Sequence, residues 1–316
     1  MSDIIVTRAP TRIDFGGGWT DVPPYSDEMG GFVCNVAIAR YATVTLRRGT
    51  VDHGAPTSAA DRAIVDAATR RLGMRDASIS VASDFPIGAG LGGSSAAGVA
   101  TVAALNLARG EALERSALAE LSRDIEIEDV GIAGGRQDHY AAAYGGALGL
   151  RFGASGVEVA RIPLGASLRR ELERRCVVVY TGQSRISGDT IDAVLGAYRD
   201  RDPHVLDALA GMRAGAAAMA RAMSDGSVDE LASLVAEQWI FQRSLHPAIP
   251  TPLIDEIIER ATAAGAAGAK ALGASGGGCV LAIAASGRED AVRRAVEPLG
   301  TLLDFSLDEE GVTRCP

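Results

Sequence analysis

Aromatic side chains make up only 4% of this 316-residue sequence, and cysteine occurs four times, at Cys34, Cys176, Cys279 and Cys315. The cysteines lie far apart and match no metal-ligand spacing, which argues against a zinc site. Three of them read as small apolar core residues and Cys315 as an exposed tail thiol. No apolar run approaches the roughly 18 residues that cross a bilayer, and the opening MSDIIVTRAP has no basic stretch followed by a long apolar one. The expectation is a cytoplasmic protein with no membrane partner. An excess of positive charge is missing too: the formal net charge is −9, with no Lys/Arg cluster interleaved with aromatics, so no nucleic-acid partner is expected. Repeats and low-complexity linkers are also missing. The composition, 47% hydrophobic and 22% charged, is ordinary for a globular protein, and the chain is long enough for two separate cores.

The most informative segment is Asp84 to Gly98, DFPIGAGLGGSSAAG. Five glycines and two serines are packed into a turn between a short β-branched run, Ser78 to Val81, and an Ala/Val/Leu-rich helix expected over Ser94 to Ala108. Glycine lets backbone approach a ligand closely, and a helix start offers free N–H groups to an anion. The segment reads as a phosphate-binding loop. Gly88, Gly90 and Gly93 also satisfy GxGxxG, but a dinucleotide site needs a second parallel strand after the helix. Here a second helix follows instead, Glu111 to Glu128. No lysine follows the glycines, so the loop is not of the Walker type.

The order of elements is α+β. Strands are expected at Ile4 to Ala9 and Gly31 to Leu46, and helices at Ala59 to Leu72, Ser94 to Ala108, Glu111 to Glu128 and through Tyr140 to Tyr144. The strands GGALGLRF and VEVARIPL follow, and a boundary near Ala166 to Arg170 divides the chain into 1–166 and 167–316. The second half starts with the strand CVVVYTG, continues with helices at Asp189 to Tyr198, Pro203 to Met223, Val228 to Phe241 and Pro252 to Ala264, and finishes with two short strands around a glycine turn, a helix at Glu289 to Val296 and the strand TLLDFSL. That half resembles a split βαβ unit with inserted helices.

Three further segments carry unusual chemistry. In PTRIDFGGGWTDVPPY, Pro10 to Tyr25, Arg12 lies on a strand before a glycine turn and the pair Thr20 and Asp21. A carboxylate accepts two sugar O–H bonds, and glycines admit a ring; an ordinary turn is the alternative. In IEIEDVGIAGGRQDHYAAAYGG, Ile125 to Gly146, Glu126 and Asp138 are brought together by a helix–loop–helix. One suits a Mg²⁺ ligand and the other a carboxylate that orients or deprotonates a hydroxyl; either acid alone also suits a solvated face or an N-cap. His139 is a candidate general base or a structural neighbour. In GAKALGASGGGCVLAIA, Gly268 to Ala284, the excess of glycine points to close approach by a ligand or another loop.

Taken in order, these segments resemble the GHMP small-molecule kinases. PTRIDFGGGWTD stands where that family has its N-terminal motif, PIGAGLGGSSAA is similar to its phosphate loop, GGRQDHY to its G-K/R-x-D-Q segment, and GASGGGCV to its C-terminal glycine motif. The resemblance implies an N-terminal domain like ribosomal protein S5 domain 2 and a ferredoxin-like C-terminal domain, with ATP and a small-molecule substrate between them. The segment DFGGGWTDVPPY resembles the opening of heptose 7-phosphate kinases and L-fucose kinases, and TGQSRISGDTI a segment of the heptose kinase branch; those enzymes phosphorylate an anomeric hydroxyl. Fucokinases usually carry a further region that this chain has no room for. His139 departs from the usual Gln.

On this resemblance, Pro86, Gly88, Ala89, Gly90, Leu91, Gly92, Gly93, Ser94 and Ser95 would hold ATP. Ser95 and Glu126 would hold Mg²⁺, Asp138 would take the acceptor proton, and Arg12 would offset charge. Thr20, Asp21, Gly17, Gly18, Gly276 and Gly277 would meet the sugar, and Arg185 its phosphate. The activity this implies is ATP-dependent phosphorylation of the C1 hydroxyl of a sugar phosphate, a heptose 7-phosphate first; an L-fucose or galactose kinase, a kinase of a phosphorylated C7 cyclitol, a non-catalytic sugar sensor and a nicotinamide-dependent oxidoreductase are the alternatives. A monomer or homodimer is expected.

Overall fold

The computed structural model describes residues 4–49, 58–74, 76–183 and 188–316. The first half runs β1 (Ile4–Gly16), α1 (Tyr25–Met29), β2 (Gly31–Arg48), α2 (Ala59–Arg71), β3 (Ala77–Ser83), α3 (Gly93–Arg109), α4 (Arg115–Asp124), α5 (Gln137–Tyr144), β4 (Ala147–Gly153) and β5 (Gly156–Ile162). The second runs α6 (Ala166–Arg175), β6 (Cys176–Tyr180), α7 (Gly188–Arg199), α8 (Pro203–Ser224), α9 (Val228–Ser244), α10 (Pro252–Ala264), β7 (Ala266–Ala271), β8 (Cys279–Ala284), α11 (Glu289–Val296), β9 (Thr301–Leu302) and β10 (Thr313–Cys315).

All strand pairs are antiparallel. The first sheet has the order β10-β1-β2-β4-β5, with β3 also pairing β2. The second has the order β7-β8-β6-β9, so counted within itself it reads 2-3-1-4, the ferredoxin-like arrangement. The α+β expectation holds, and among the described residues no parallel strand follows α3, which removes the dinucleotide reading.

Alternation along β1 decides what faces what. Ile13 and Phe15 enter a fully buried core shared with Val178, Leu231 and Leu281 of the second half. Each such burial contributes about 1.5–3 kcal/mol, and this shared core ties the two sheets together. Arg12 and Asp14, two residues apart on β1, lie on the opposite side of the pleat, at the cavity described below.

Three expectations are corrected. The helix expected over Glu111 to Glu128 begins at Arg115 and gives way to a π-helical turn at Ile125–Asp129. Such turns recur at functional sites because the wider winding re-aims a side chain, and this one carries Glu126. The segment TLLDFSL is a strand only at Thr301–Leu302. Leu303 N–H still donates to Val178 O of β6, and further on the backbone bonds to the first sheet, with Ala39 N–H donating to Ser306 O and Asp308 N–H to Ala37 O. Finally, Cys315 is half-buried in β10, paired opposite Val6, and is not an exposed tail thiol. Among the described residues no helix is long and apolar enough to cross a membrane.

Candidate active site

A cavity of about 690 Å³ lies where the first sheet's helices meet the β7–β8 turn, a size ordinary for small-molecule sites. One wall is the loop from Pro86 to Ser95, every residue of which lines the cavity. The loop runs into the N-terminus of α3, whose first N–H groups are available to an anion. Gly92 is the left-handed N-cap of that helix, with φ at 74°. A Cβ there would lie 3.0 Å from Asp138 Cγ, so the loop and the carboxylate approach as closely as a glycine allows.

The opposite side of the loop rests on the β7–β8 turn. Cys279 N–H donates to Ala89 O at 2.8 Å, and a Cβ at Gly278 would come within 2.9 Å of the same oxygen. The excess glycine in GASGGG is therefore accounted for by one loop lying directly against another. Gly277 lines the cavity, whereas Gly276 sits behind it and donates to Ile249 O.

Arg12, only 3% exposed, joins the loop to Asp138. Its Nη1 donates to Gly90 O at 2.5 Å, and its Nε and Nη2 reach Asp138 Oδ1 at 2.8 and 2.7 Å. Asp138 stands in the first turn of α5. Burial pushes its pKa above the ordinary carboxylate value, and the Arg12 charge opposes that without reversing it.

Glu126 is buried at the end of the cavity beside α3. Ser94 Oγ and Ser95 Oγ donate to its two oxygens at 2.8 and 3.1 Å. His139 Nε2 stands 2.9 Å from Oε2, and its Nδ1 3.1 Å from Ser122 Oγ. Burial alone would raise the Glu126 pKa, but the bonds from His139, Ser94 and Ser95 hold it below the usual value. An ionised carboxylate beside two hydroxyl oxygens and a phosphate loop suits Mg²⁺, which binds through one or two carboxylates together with substrate phosphates. Among the described residues no group of three or more His, Cys, Asp and Glu could cage a metal without such help.

The glycine turn after β1 supplies the far end. Gly18, Trp19 and Asp21 line it. Asp21 Oδ2 accepts from Gln137 N–H at 2.9 Å and so caps α5 from 116 residues away. Burial, reinforced by the charges of Asp138 and Asp14, raises its pKa to about 6 even though that bond lowers it. Thr20 does not reach the cavity: fully buried, its hydroxyl donates to Gly17 O at 2.7 Å and accepts from Phe32 N–H at 3.1 Å, which fixes the turn. Gly17 lies beneath it, with no room for a Cβ against Phe32 O. Arg185 is outside the described residues. Sequence reasoning missed Asp14 and Lys270, though a second charge two positions after Arg12 on one strand face was a signal.

Two family models match the chain in its own order: the GHMP kinases N terminal domain over residues 59–146 and the GHMP kinases C terminal over 217–299. The chain belongs to the GHMP kinases. Membership makes it an ATP-dependent kinase. It is 28% identical to the D-glycero-alpha-D-manno-heptose 7-phosphate kinase of Campylobacter jejuni, over 98% of both chains. It is also 28% identical to the bifunctional fucokinase/GDP-fucose pyrophosphorylase of Arabidopsis thaliana, covering 87% of this chain but 29% of that protein's length. Among solved structures, a D-glycero-D-manno-heptose 1-phosphate kinase from Bacteroides thetaiotaomicron matches with a TM-score of 0.79 at 24% identity, covering 99% of each chain, which shows the shared two-domain fold.

Proposed function

We propose that this kinase transfers the γ-phosphoryl group of ATP to the anomeric (C1) hydroxyl of a sugar phosphate, with a heptose 7-phosphate as the favoured acceptor. The observation that carries the reading is Asp138, held by Arg12 directly against the phosphate loop at Gly92. The similarity to a heptose 7-phosphate kinase along nearly its whole length supports the choice of sugar.

In this reading the backbone N–H groups of Gly88 to Ser95 and the start of α3 hold the ATP phosphates. Ser94 or Ser95, together with Glu126, holds Mg²⁺, which when bound neutralises charge between the phosphates. Asp138 orients the acceptor hydroxyl and takes its proton; its raised pKa brings it closer to the pH at which a base works well. Arg12 fixes that carboxylate and the Gly90 carbonyl in one arrangement. Asp21 and Gly18 receive the sugar ring, and Arg185 is assigned to the acceptor's own phosphate. The similarity to a fucokinase favours a second reading, L-fucose as acceptor.

A coupled ADP-release screen over heptose 7-phosphates, L-fucose, galactose and phosphorylated cyclitols tests both readings, with the site of transfer read from the product by NMR. A heptose 7-phosphate should give the highest kcat/KM. Asp138→Asn should lower kcat by about 10²–10⁴-fold, the usual weight of a general base, while leaving ATP binding within a few-fold. A variant with wild-type kcat would sink the assignment.

A further inference from the structure

We propose that Asp14 is a second carboxylate that accepts a hydroxyl of the sugar, and that Lys270 is the positioning residue that holds it there. The inference rests on the sugar-kinase reading above.

Asp14 is 2% exposed and lines the cavity on the same strand face as Arg12. Its Oδ2 is taken by Lys270, whose Nζ lies 3.3 Å away and also donates to the Asp14 carbonyl at 3.0 Å. Its Oδ1 is buried with no donor. A buried carboxylate oxygen without a donor is costly, so a group that supplies one binds with advantage. Two residues beyond the end of β1, Gly18 packs directly on the carboxylate: a Cβ there would lie 2.5 Å from Asp14 Oδ2 and 2.9 Å from Gln137 Nε2, so this wall of the cavity closes around Asp14 only because Gly18 has no side chain. Next to Gly18, the indole N–H of Trp19, a residue 6% exposed that also lines the cavity, is equally without a partner. An unpartnered acceptor and an unpartnered donor on two residues that line the same cavity suit a hydroxyl, which both donates and accepts.

Lys270 sharpens the case. It is the sole lysine of a sequence that otherwise uses arginine for its fixed positive charges. It is fully buried, on β7 of the other sheet. Burial lowers its pKa from the ordinary lysine value, and the bond to Asp14 opposes that. A compact ammonium can serve a carbonyl and a carboxylate oxygen from one point, which a planar guanidinium does differently. The pair could serve only to fasten β7 to β1, and kinetics separate that role from sugar binding.

Two variants are made, Asp14→Asn and the double variant Asp14→Asn with Lys270→Met, the second removing both charges together so that no unpaired buried ammonium remains. Each should raise the sugar KM roughly ten- to hundredfold, the scale of a lost hydrogen bond to a charged group, with the ATP KM within about twofold. Because lysine occurs once, protein labelled with ¹³Cε-lysine gives a single ε-methylene resonance. In the wild type this resonance should move on adding the acceptor sugar and stay in place with ATP alone; in Asp14→Asn it should no longer respond to sugar. If the double variant folds and keeps the wild-type sugar KM, or the resonance ignores sugar in a wild type that phosphorylates it, Asp14 is only a fastening and this inference falls alone. If the wild type phosphorylates no sugar, the sugar-kinase reading falls and takes this one with it.

Discussion

Arg12 places two guanidinium nitrogens on a single oxygen of Asp138: Nε at 2.8 Å and Nη2 at 2.7 Å from Oδ1. The other oxygen, Oδ2, is left free of Arg12 and lies on the side of Gly92. One carboxylate oxygen is thus committed to holding the geometry, and the second is open toward the phosphate loop. The division leaves Asp138 one oxygen free for the proton transfer proposed above.

Arg12→Lys keeps the charge but loses the planar fork, in which Nε and Nη2 both reach Asp138 Oδ1 while Nη1 reaches Gly90 O, so the carboxylate is no longer held in a fixed orientation. We expect kcat to fall about 100-fold, the cost of a small misplacement in a site whose rate depends on orientation. ATP affinity by calorimetry should stay within a few-fold. Unchanged kcat would show that the fork is dispensable.

Gly92→Ala tests the contact between loop and carboxylate. At φ near 74° any side chain is strained by about 1–2 kcal/mol, and the new methyl would press on Asp138 Cγ, 3.0 Å away. Thermal unfolding should report a loss of that order, and steady-state kinetics a kcat reduced at least about tenfold. A variant that is destabilised yet fully active would mean that the position of Asp138 does not matter for turnover.

Glu126→Gln removes the ionised oxygen that Ser94, Ser95 and His139 surround. The Mg²⁺ concentration giving half-maximal rate should rise roughly 10–100-fold. His139→Gln, which retains a donor for Glu126, should shift it less. An unchanged Mg²⁺ requirement in Glu126→Gln would remove Glu126 from the metal site.

Asp21 should give the reaction an acid limb. Its pKa in the folded protein, about 6, is above the unfolded value of 3.8, so its favourable contribution to folding is present below pH 3.8 and is lost as pH rises through 6. If Asp21 accepts sugar hydroxyls as proposed, it does so ionised, so kcat/KM for the sugar should fall as pH drops through about 6, while the ATP KM moves little. Asp21→Asn should lose that limb and, at pH 8, unfold at a higher temperature than the wild type. A limb that survives the substitution belongs to another group.

Much of this was legible in the chain. The glycine-rich loop from Pro86 to Ser95 was readable because glycine density and a helix start are local properties, and the placing of Glu126 and Asp138 in one cavity with it was readable because the segment joining them is short. Thr20 misled: it stands beside Asp21 in sequence, yet its hydroxyl is consumed within its own turn by Gly17 and Phe32. Its spacing along the chain gave no sign of which way it would turn. The excess glycine of GASGGG was visible, but whether it served a ligand or a loop became clear only when Gly278 met Ala89.

The amino-acid sequence by itself determined most of the element types, the α+β class and the glycine-rich loop at the start of α3, because these follow from periodicity and from backbone chemistry within a few residues. Only the tertiary structure decided which charges meet. Asp14 and Lys270 are 256 positions apart, and Asp21 caps a helix that starts 116 residues later. The first pair arises where two sheets share the core around Ile13 and Phe15, the second where the glycine turn after β1 folds back onto α5, and in both places burial is what makes a charge strong enough to matter.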